Sequence, residues 1–173
     1  SRYGFTLTIV PQLKVGRNFV SSSRIRSLIK DGRLNQASKL LGRPVSLLGT
    51  VVKGKTRGRL LGYPTANLNP HHEVIPPAGV YAVLVRRKDR VFGGILNIGI
   101  RPTFGETVPV IEVHIFDLNT ELYGEELEVN FVKRLRPERR FFSKERLAAQ
   151  LRRDEVKSRQ ILKMRKVGKC NSR

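Results

Sequence analysis

The chain has 173 residues, enough for one full domain and a small appendage but not for two full enzymes. Its hydrophobic residues, 39% of the total, come in short runs, and none approaches the ~20 apolar residues that a membrane-spanning helix needs. The formal net charge of +20 asks for an anionic partner, but the cations are scattered and Trp is absent, which supplies a base-stacking platform for nucleic acid poorly.

Residues 1–45 read differently from the rest. The chain opens Ser1-Arg2-Tyr3 with neither a Met nor a signal-peptide pattern, and is expected to be a fragment of something longer. Phe5 to Val10 is a strand candidate ending at Pro11. Ser21-Ser22-Ser23 offers N-caps for a helix with Ile25, Leu28 and Ile29 on one face, stopped by Gly32. Leu34 to Leu41 is a second short helix, stopped by Gly42. A helical hairpin with a strand before it results, with too little core to stand alone.

From Val45 to about Val132 the pattern turns to strands: Ser46–Lys53, Val80–Arg86, Val91–Ile98, Ile111–Asp117 and Leu127–Val132, punctuated by Gly, Pro and Asn. Short strands with no helices between them argue for an antiparallel barrel or a sandwich. Ser143 then caps a last helix with Leu147, Leu151 and Ile161 along one stripe, placed to cover an open side of the sheet. After about Leu162 the chain reads as a basic tail, with a cation cluster from Lys163 to Lys169. The single Cys170 lies in that tail, cannot form an internal disulfide, and makes a reducing, cytoplasmic home the default.

One motif is to be rejected. Gly49 to Thr56 satisfies the P-loop expression G-x-x-x-x-G-K-T. A P-loop must join a strand to a helix so that backbone N–H groups wrap the phosphates. Here Thr50-Val51-Val52 belongs inside a strand, and the residues from Arg57 to Pro64 cannot readily start a helix.

The run Gly54 to Asn67 is a phosphate site of another kind. Gly54, Gly58 and Gly62 recur at every fourth position and let the backbone approach an anion closely. Lys55, Arg57 and Arg59 add positive donors. Extended chain after Pro64 would turn Thr65 and Asn67 to one side, a hydroxyl beside a carboxamide oxygen. Mg²⁺ accepts such a pair when phosphates complete its shell. A glycine-rich hairpin with a polar strand edge is the alternative reading. In Ile111–Asp117 the apolar residues alternate with Glu112 and His114. Glu112 could take a proton from an attacking hydroxyl if it faces a cavity; His114 reads as a half-buried strand residue. Asn97 to Thr103 reads as a strand ending in a turn with one cation, Arg101. Tyr123-Gly124-Glu125 reads as a turn, and Arg136-Pro137-Glu138 as a rigid bend. No Cys/His cluster has zinc spacing.

These residues resemble, in order and spacing, the riboflavin kinase family, specifically the kinase module at the C-terminal end of bacterial bifunctional FAD synthetases. The resemblance rests on the Gly-rich run ending Pro64-Thr65-Ala66-Asn67, on Gly79-Val80-Tyr81, and on Asn97 through Thr103. It continues through Ile111-Glu112-Val113-His114, Asp117, Leu122-Tyr123-Gly124, Leu135-Arg136-Pro137-Glu138, Phe141 with Ser143, and the helix containing Asp154. It implies a mainly β fold, a six-stranded antiparallel Greek-key barrel with a C-terminal helix over residues 46–162. It implies transfer of the ATP γ-phosphate to the riboflavin 5′-hydroxyl, giving FMN, with Mg²⁺. By the same resemblance Thr65 and Asn67 hold metal and phosphate, Gly54, Lys55, Gly58, Arg59 and Gly62 join them around the nucleotide, Glu112 is the base, and Arg101, Tyr123 and Arg136 are candidate flavin contacts. Ser21-Ser22-Ser23-Arg24-Ile25-Arg26 resembles the Ser-Ser-Thr-x-Ile-Arg signature of the linked adenylyltransferase, whose His-x-Gly-His element is absent here. Residues 1–45 would then be a remnant of that domain, and this chain alone should not make FAD from FMN. A basic nucleic-acid-binding barrel, or a flavin- or nucleotide-binding regulator that lost catalysis, are the competing readings.

Overall fold

The structure, a computed structural model, describes residues 4, 6–9, 11–16, 18–54, 62–71, 73–103 and 106–166, with the backbone alone at 18, 101–103, 106–108 and 164–166. Two short strands, β1 (Lys14–Val15) and β2 (Asn18–Phe19), pair antiparallel around Gly16, whose φ of +60° suits the turn. Helix α1 (Ser22–Lys30) begins at Ser21, whose hydroxyl accepts from the Arg24 N–H. Helix α2 (Leu34–Leu41) ends on Gly42 in the left-handed conformation, which closes a helix without a Cβ penalty. Of the strand expected over Phe5–Val10, the ends Phe5 and Val10 lie outside the described residues, and Thr6 to Ile9 between them have no regular structure, with Leu7 and Ile9 exposed. A strand needs a neighbour for its backbone groups, and none of the described strands pairs with this segment.

Six strands follow: β3 (Ser46–Val52), β4 (Ala66–Pro70), β5 (Gly79–Arg87), β6 (Arg90–Thr103), β7 (Glu106–Ile115) and β8 (Glu126–Arg136). They close in the order β3-β4-β7-β6-β5-β8, with β3 pairing β8, and every pairing is antiparallel. Strands β5, β6 and β7 are consecutive neighbours, and β8 returns to lie beside β5, which is the Greek-key arrangement. Closure removes the sheet edges. Two register shifts between β5 and β8, at Val80/Tyr81 and Ala82/Val83, add the local bend and twist that help close a barrel.

Alternate residues fill the interior: Leu47 and Val51, Leu68, Tyr81 with Val83 and Val85, Leu96 and Ile98, Ile111 and Val113, Leu127 and Val129. Leu28, Ile29, Ala37 and Leu40 of the helical hairpin belong to the same apolar cluster. A second cluster lies outside the barrel wall, where Val80, Ile95 and Phe116 meet Leu162 of helix α3 (Lys144–Lys166).

Two expectations need correction. The turn expected within Asn97–Thr103 is absent, because β6 runs on to Thr103 and pairs with β7 as far as Thr103↔Glu106. Past Ile98↔Ile111 no other described strand pairs with this ribbon, since β5 and β4 have ended their pairing. The expected apolar stripe of α3 is likewise not its most buried face. Gln150, Asp154 and Ser158, four residues apart, are the buried ones, whereas Leu147, Leu151 and Ile161 are half-buried. The Gln150 amide and the Arg136 guanidinium both donate to Asp154, at 2.7 and 2.9 Å, and Ser158 donates to the Gly94 carbonyl at 3.1 Å. The helix is thus docked on β6 and β8 by buried polar groups that are paired, with Leu162 as its apolar anchor.

Candidate active site

Strand β4 starts two residues after Pro64 and runs between β3 and β7. Its inward residue is Leu68, so Asn67 faces outward, and on β7 the inward Ile111 and Val113 turn Glu112 outward too. The register sets Asn67 directly opposite Glu112, and Glu112 directly opposite Asn97 on β6. Side chains opposed in this way lie roughly 4.5–5.5 Å apart at Cβ and share a face. A half-buried carboxylate is therefore flanked by a carboxamide on either side. The row of Asn67, Glu112 and Asn97 across three strands is not legible from the sequence, because register is invisible in one strand read alone. The bend after β8 reaches the same row. A Cβ added at Gly99 would lie 2.6 Å from a Glu138 carboxylate oxygen and 3.6 Å from the Asn97 amide nitrogen.

As the chain leaves β3, it passes against Asn67. A Cβ added at Gly54 would fall 2.0 Å from the Asn67 Nδ2, so only glycine leaves that carboxamide in place. Lys55, Arg57, Gly58 and Arg59 lie outside the described residues. Gly62 takes a left-handed φ of +77°, which favours glycine on conformational grounds. Residues Gly49 to Val52 of the rejected P-loop match are strand, as expected, and a Cβ on Gly49 would strike the Asn69 carbonyl.

Two cavities border this region. One, of about 420 Å³, is lined by Pro64, Thr65 and Ala66 on one side and by Leu118 to Tyr123 on the other, so it brings Thr65 and Tyr123 together. The other, of about 680 Å³, is lined by Gly54, Asn67 and the Pro109 end of the β6–β7 ribbon. Thr65 and Asn67 thus border different cavities. Tyr123 is half-exposed at the turn where Gly124 takes a φ of +78°. Arg101 sits in the ribbon opposite Val108, with its side chain outside the described residues. Arg136 is not free to reach outward: its Nε and Nη2 both lie 2.9 Å from the Asp154 carboxylate.

His114 is half-buried, as expected, and its Nδ1 lies 2.8 Å from the Pro64 carbonyl. Tyr63 donates to Glu155 of α3 at 3.0 Å; burial, and then that carboxylate, push its phenol pKa up. Asp117 is held below the ordinary carboxylate range by the Arg159 fork.

Among the described residues no three His, Cys, Asp or Glu side chains gather into a metal cluster. The local donors are a hydroxyl, two carboxamides and one carboxylate. That set suits Mg²⁺ completed by substrate phosphates and not an all-protein cage.

A family profile, riboflavin kinase, matches residues 41–162. Among curated proteins the chain is 40% identical over 152 residues to the bifunctional riboflavin kinase/FMN adenylyltransferase of Bacillus subtilis, covering 86% of this chain and 48% of that protein. To the protein of the same description from Escherichia coli K12 it is 38% identical over 165 residues, covering 95% and 53%. The chain therefore spans about half the length of these relatives. A solved structure described as a macrolide-efflux protein from Streptococcus pneumoniae superposes with a TM-score of 0.78 at 39% identity, over 87% of this chain and 50% of that one. None of the described helices here is long and apolar enough to cross a membrane. The riboflavin kinase of Trypanosoma brucei shares the fold, with a TM-score of 0.50 at 19% identity over 68% of this chain and 79% of that one.

Proposed function

Since this chain belongs to the riboflavin kinase family, we propose that it moves the γ-phosphate of ATP to the 5′-hydroxyl of riboflavin, releasing ADP and FMN. The observation that carries the site reading is the row Asn67, Glu112 and Asn97 beside Gly54. Glu112 takes the hydroxyl proton as the new O–P bond forms and the bond to ADP breaks, help typically worth ~10²–10⁴ in rate. Asn67 and Asn97 flank that carboxylate across the sheet and would set its aim before substrate arrives. Asn67, joined by Thr65 from the rim of the adjacent cavity, would hold Mg²⁺, which supplies charge neutralisation at the phosphates. Gly54 and the cationic run after it bring N–H groups and positive charge to the phosphate chain. Tyr123, beside the Thr65 cavity, and Arg101 on the ribbon contact the flavin in this reading. Arg136 contributes by holding α3 as well as by any contact with flavin.

The full-length protein is proposed to be cytoplasmic and to carry an adenylyltransferase domain as well, since its relatives are about twice as long and are described as bifunctional. Residues 1–45 are the end of that domain, residues 46–162 the kinase, and residues 163–173 a basic stretch, whose first four residues are not tail as expected but continue α3 to Lys166.

The test is incubation of the chain with riboflavin, ATP and Mg²⁺, with separation of the flavins. FMN is expected and FAD is not. An absence of FMN at high enzyme concentration would sink the reading.

A further inference from the structure

We propose that His114 and Glu155 are positioning residues for Thr65. They clamp Tyr63 and Pro64, the two residues that lead into Thr65, between β7 and α3. The inference rests on the reading of Thr65 as a ligand to the metal-bound phosphates.

Pro64 has no N–H, so its carbonyl is the backbone handle available there. A carbonyl only accepts, hence the Nδ1 of His114, 2.8 Å away, carries the hydrogen. The neutral Nδ1–H tautomer and the imidazolium both satisfy this, so the bond survives a change in the charge of the ring. His114 lies two residues beyond Glu112 on the same face of β7. One short piece of strand therefore carries the base and also grips the peptide next to Thr65. The β4–β7 register ends at Ala66↔Val113, one residue short of Thr65, and this hydrogen bond carries the attachment to β7 past that end.

The second grip comes from α3. The Tyr63 phenol donates to one oxygen of Glu155 at 3.0 Å, and its ring meets His114 edge-on, with centroids 5.1 Å apart. The other oxygen of Glu155 accepts from Arg159 Nε at 2.9 Å. The two terminal nitrogens of Arg159 reach the Asp117 carboxylate at 2.9 and 3.0 Å. Its guanidinium lies 4.3 Å from the ring centre of Phe116, which in turn packs edge-on to His114 at 5.8 Å. The chain of contacts closes on itself: Tyr63, Glu155, Arg159, Phe116, His114 and back to Tyr63. A displacement of about 1 Å at a reacting centre can lower the rate about 10²-fold. A clamp on the residues adjoining Thr65 acts on that scale.

His114→Phe keeps a ring in place but removes the bond to Pro64. His114→Asn offers an amide N–H near the Nδ1 position. The Phe variant is expected to raise KM for Mg·ATP and to lower kcat about 10-fold or more, with riboflavin affinity and Tm close to those of the parent. The Thr65 amide should exchange its hydrogen faster. The Asn variant should restore most of each change, and Tyr63→Phe should shift the same quantities less. Unchanged kinetics and exchange in His114→Phe, equal loss toward both substrates, or no recovery with Asn would overturn the clamp. If His114→Phe does not fold, Tyr63→Phe decides: an unchanged KM for Mg·ATP there overturns the proposal. Thr65→Ala, run in parallel, separates the two ideas. If it is impaired while His114→Phe is not, only the clamp fails; if it behaves as the parent, the reading of Thr65 fails and the proposal with it.

Discussion

A methyl group at position 54 would have to enter the space held by the Asn67 carboxamide, 2.0 Å away. The obstacle is the end of a side chain, which can move, and Gly54 itself is exposed. Gly54→Ala is therefore expected to leave stability within about 0.5 kcal/mol of the parent. By turning Asn67 aside it should lower kcat about 10²-fold. Chemical denaturation alongside steady-state FMN formation checks both halves, and a loss of stability without a loss of rate would contradict the argument. Glu112 makes a complementary case. Glutamine keeps the size and the acceptor oxygen but cannot take a proton. Glu112→Gln should lower turnover by about 10²–10⁴ while flavin affinity, followed by fluorescence titration, stays unchanged. Activity close to the parent would show that the proton leaves by another route.

At the scale of elements, strand alternation was legible because a closed barrel has one wet wall and one dry interior. Ile111, Val113 and Ile115 against Glu112 and His114 announce that division directly. The β6–β7 ribbon was not legible, since Pro102 and Gly99 read as turn residues and the pairing that overrides them lies on another strand. The docked face of α3 was missed for a different reason. A search for an apolar stripe passes over Gln150, Asp154 and Ser158, whose burial depends on partners on β6 and β8. That docking gives a test. Asp154 is 3% exposed and receives both Arg136 and Gln150. Asp154→Ala would strand the guanidinium, at about 3–5 kcal/mol for a buried pair broken on one side. The pair replaced together, Arg136→Met with Asp154→Leu, should recover most of that loss in urea denaturation. A raised KM for riboflavin in the recovered double variant would show that Arg136 also touches flavin; an unchanged one would leave it as the anchor of α3.

Over the whole molecule, composition separates residues 1–45 from the barrel more sharply than packing does. The helical hairpin reads as an appendage because its own apolar residues are few. In the fold, Leu28, Ile29, Ala37 and Leu40 complete the same apolar cluster as Leu47, Leu127 and Phe131. The junction is also tied through polar groups: the Val45 N–H donates to Ser38, and the Phe131 N–H donates to the Val45 carbonyl. A shared cluster couples the two parts energetically, because neither can open without exposing the other's surface. Unfolding is therefore expected as one transition, with calorimetric and van't Hoff enthalpies in agreement. Leu40→Ala, at a site 9% exposed, should destabilise by about 2–5 kcal/mol and lower the midpoint of the whole transition, read at the barrel's Tyr81 environment as well as by helical signal. Two separated transitions, or a Leu40→Ala effect confined to the helical signal, would mean that the hairpin is an independent remnant resting on a self-sufficient barrel.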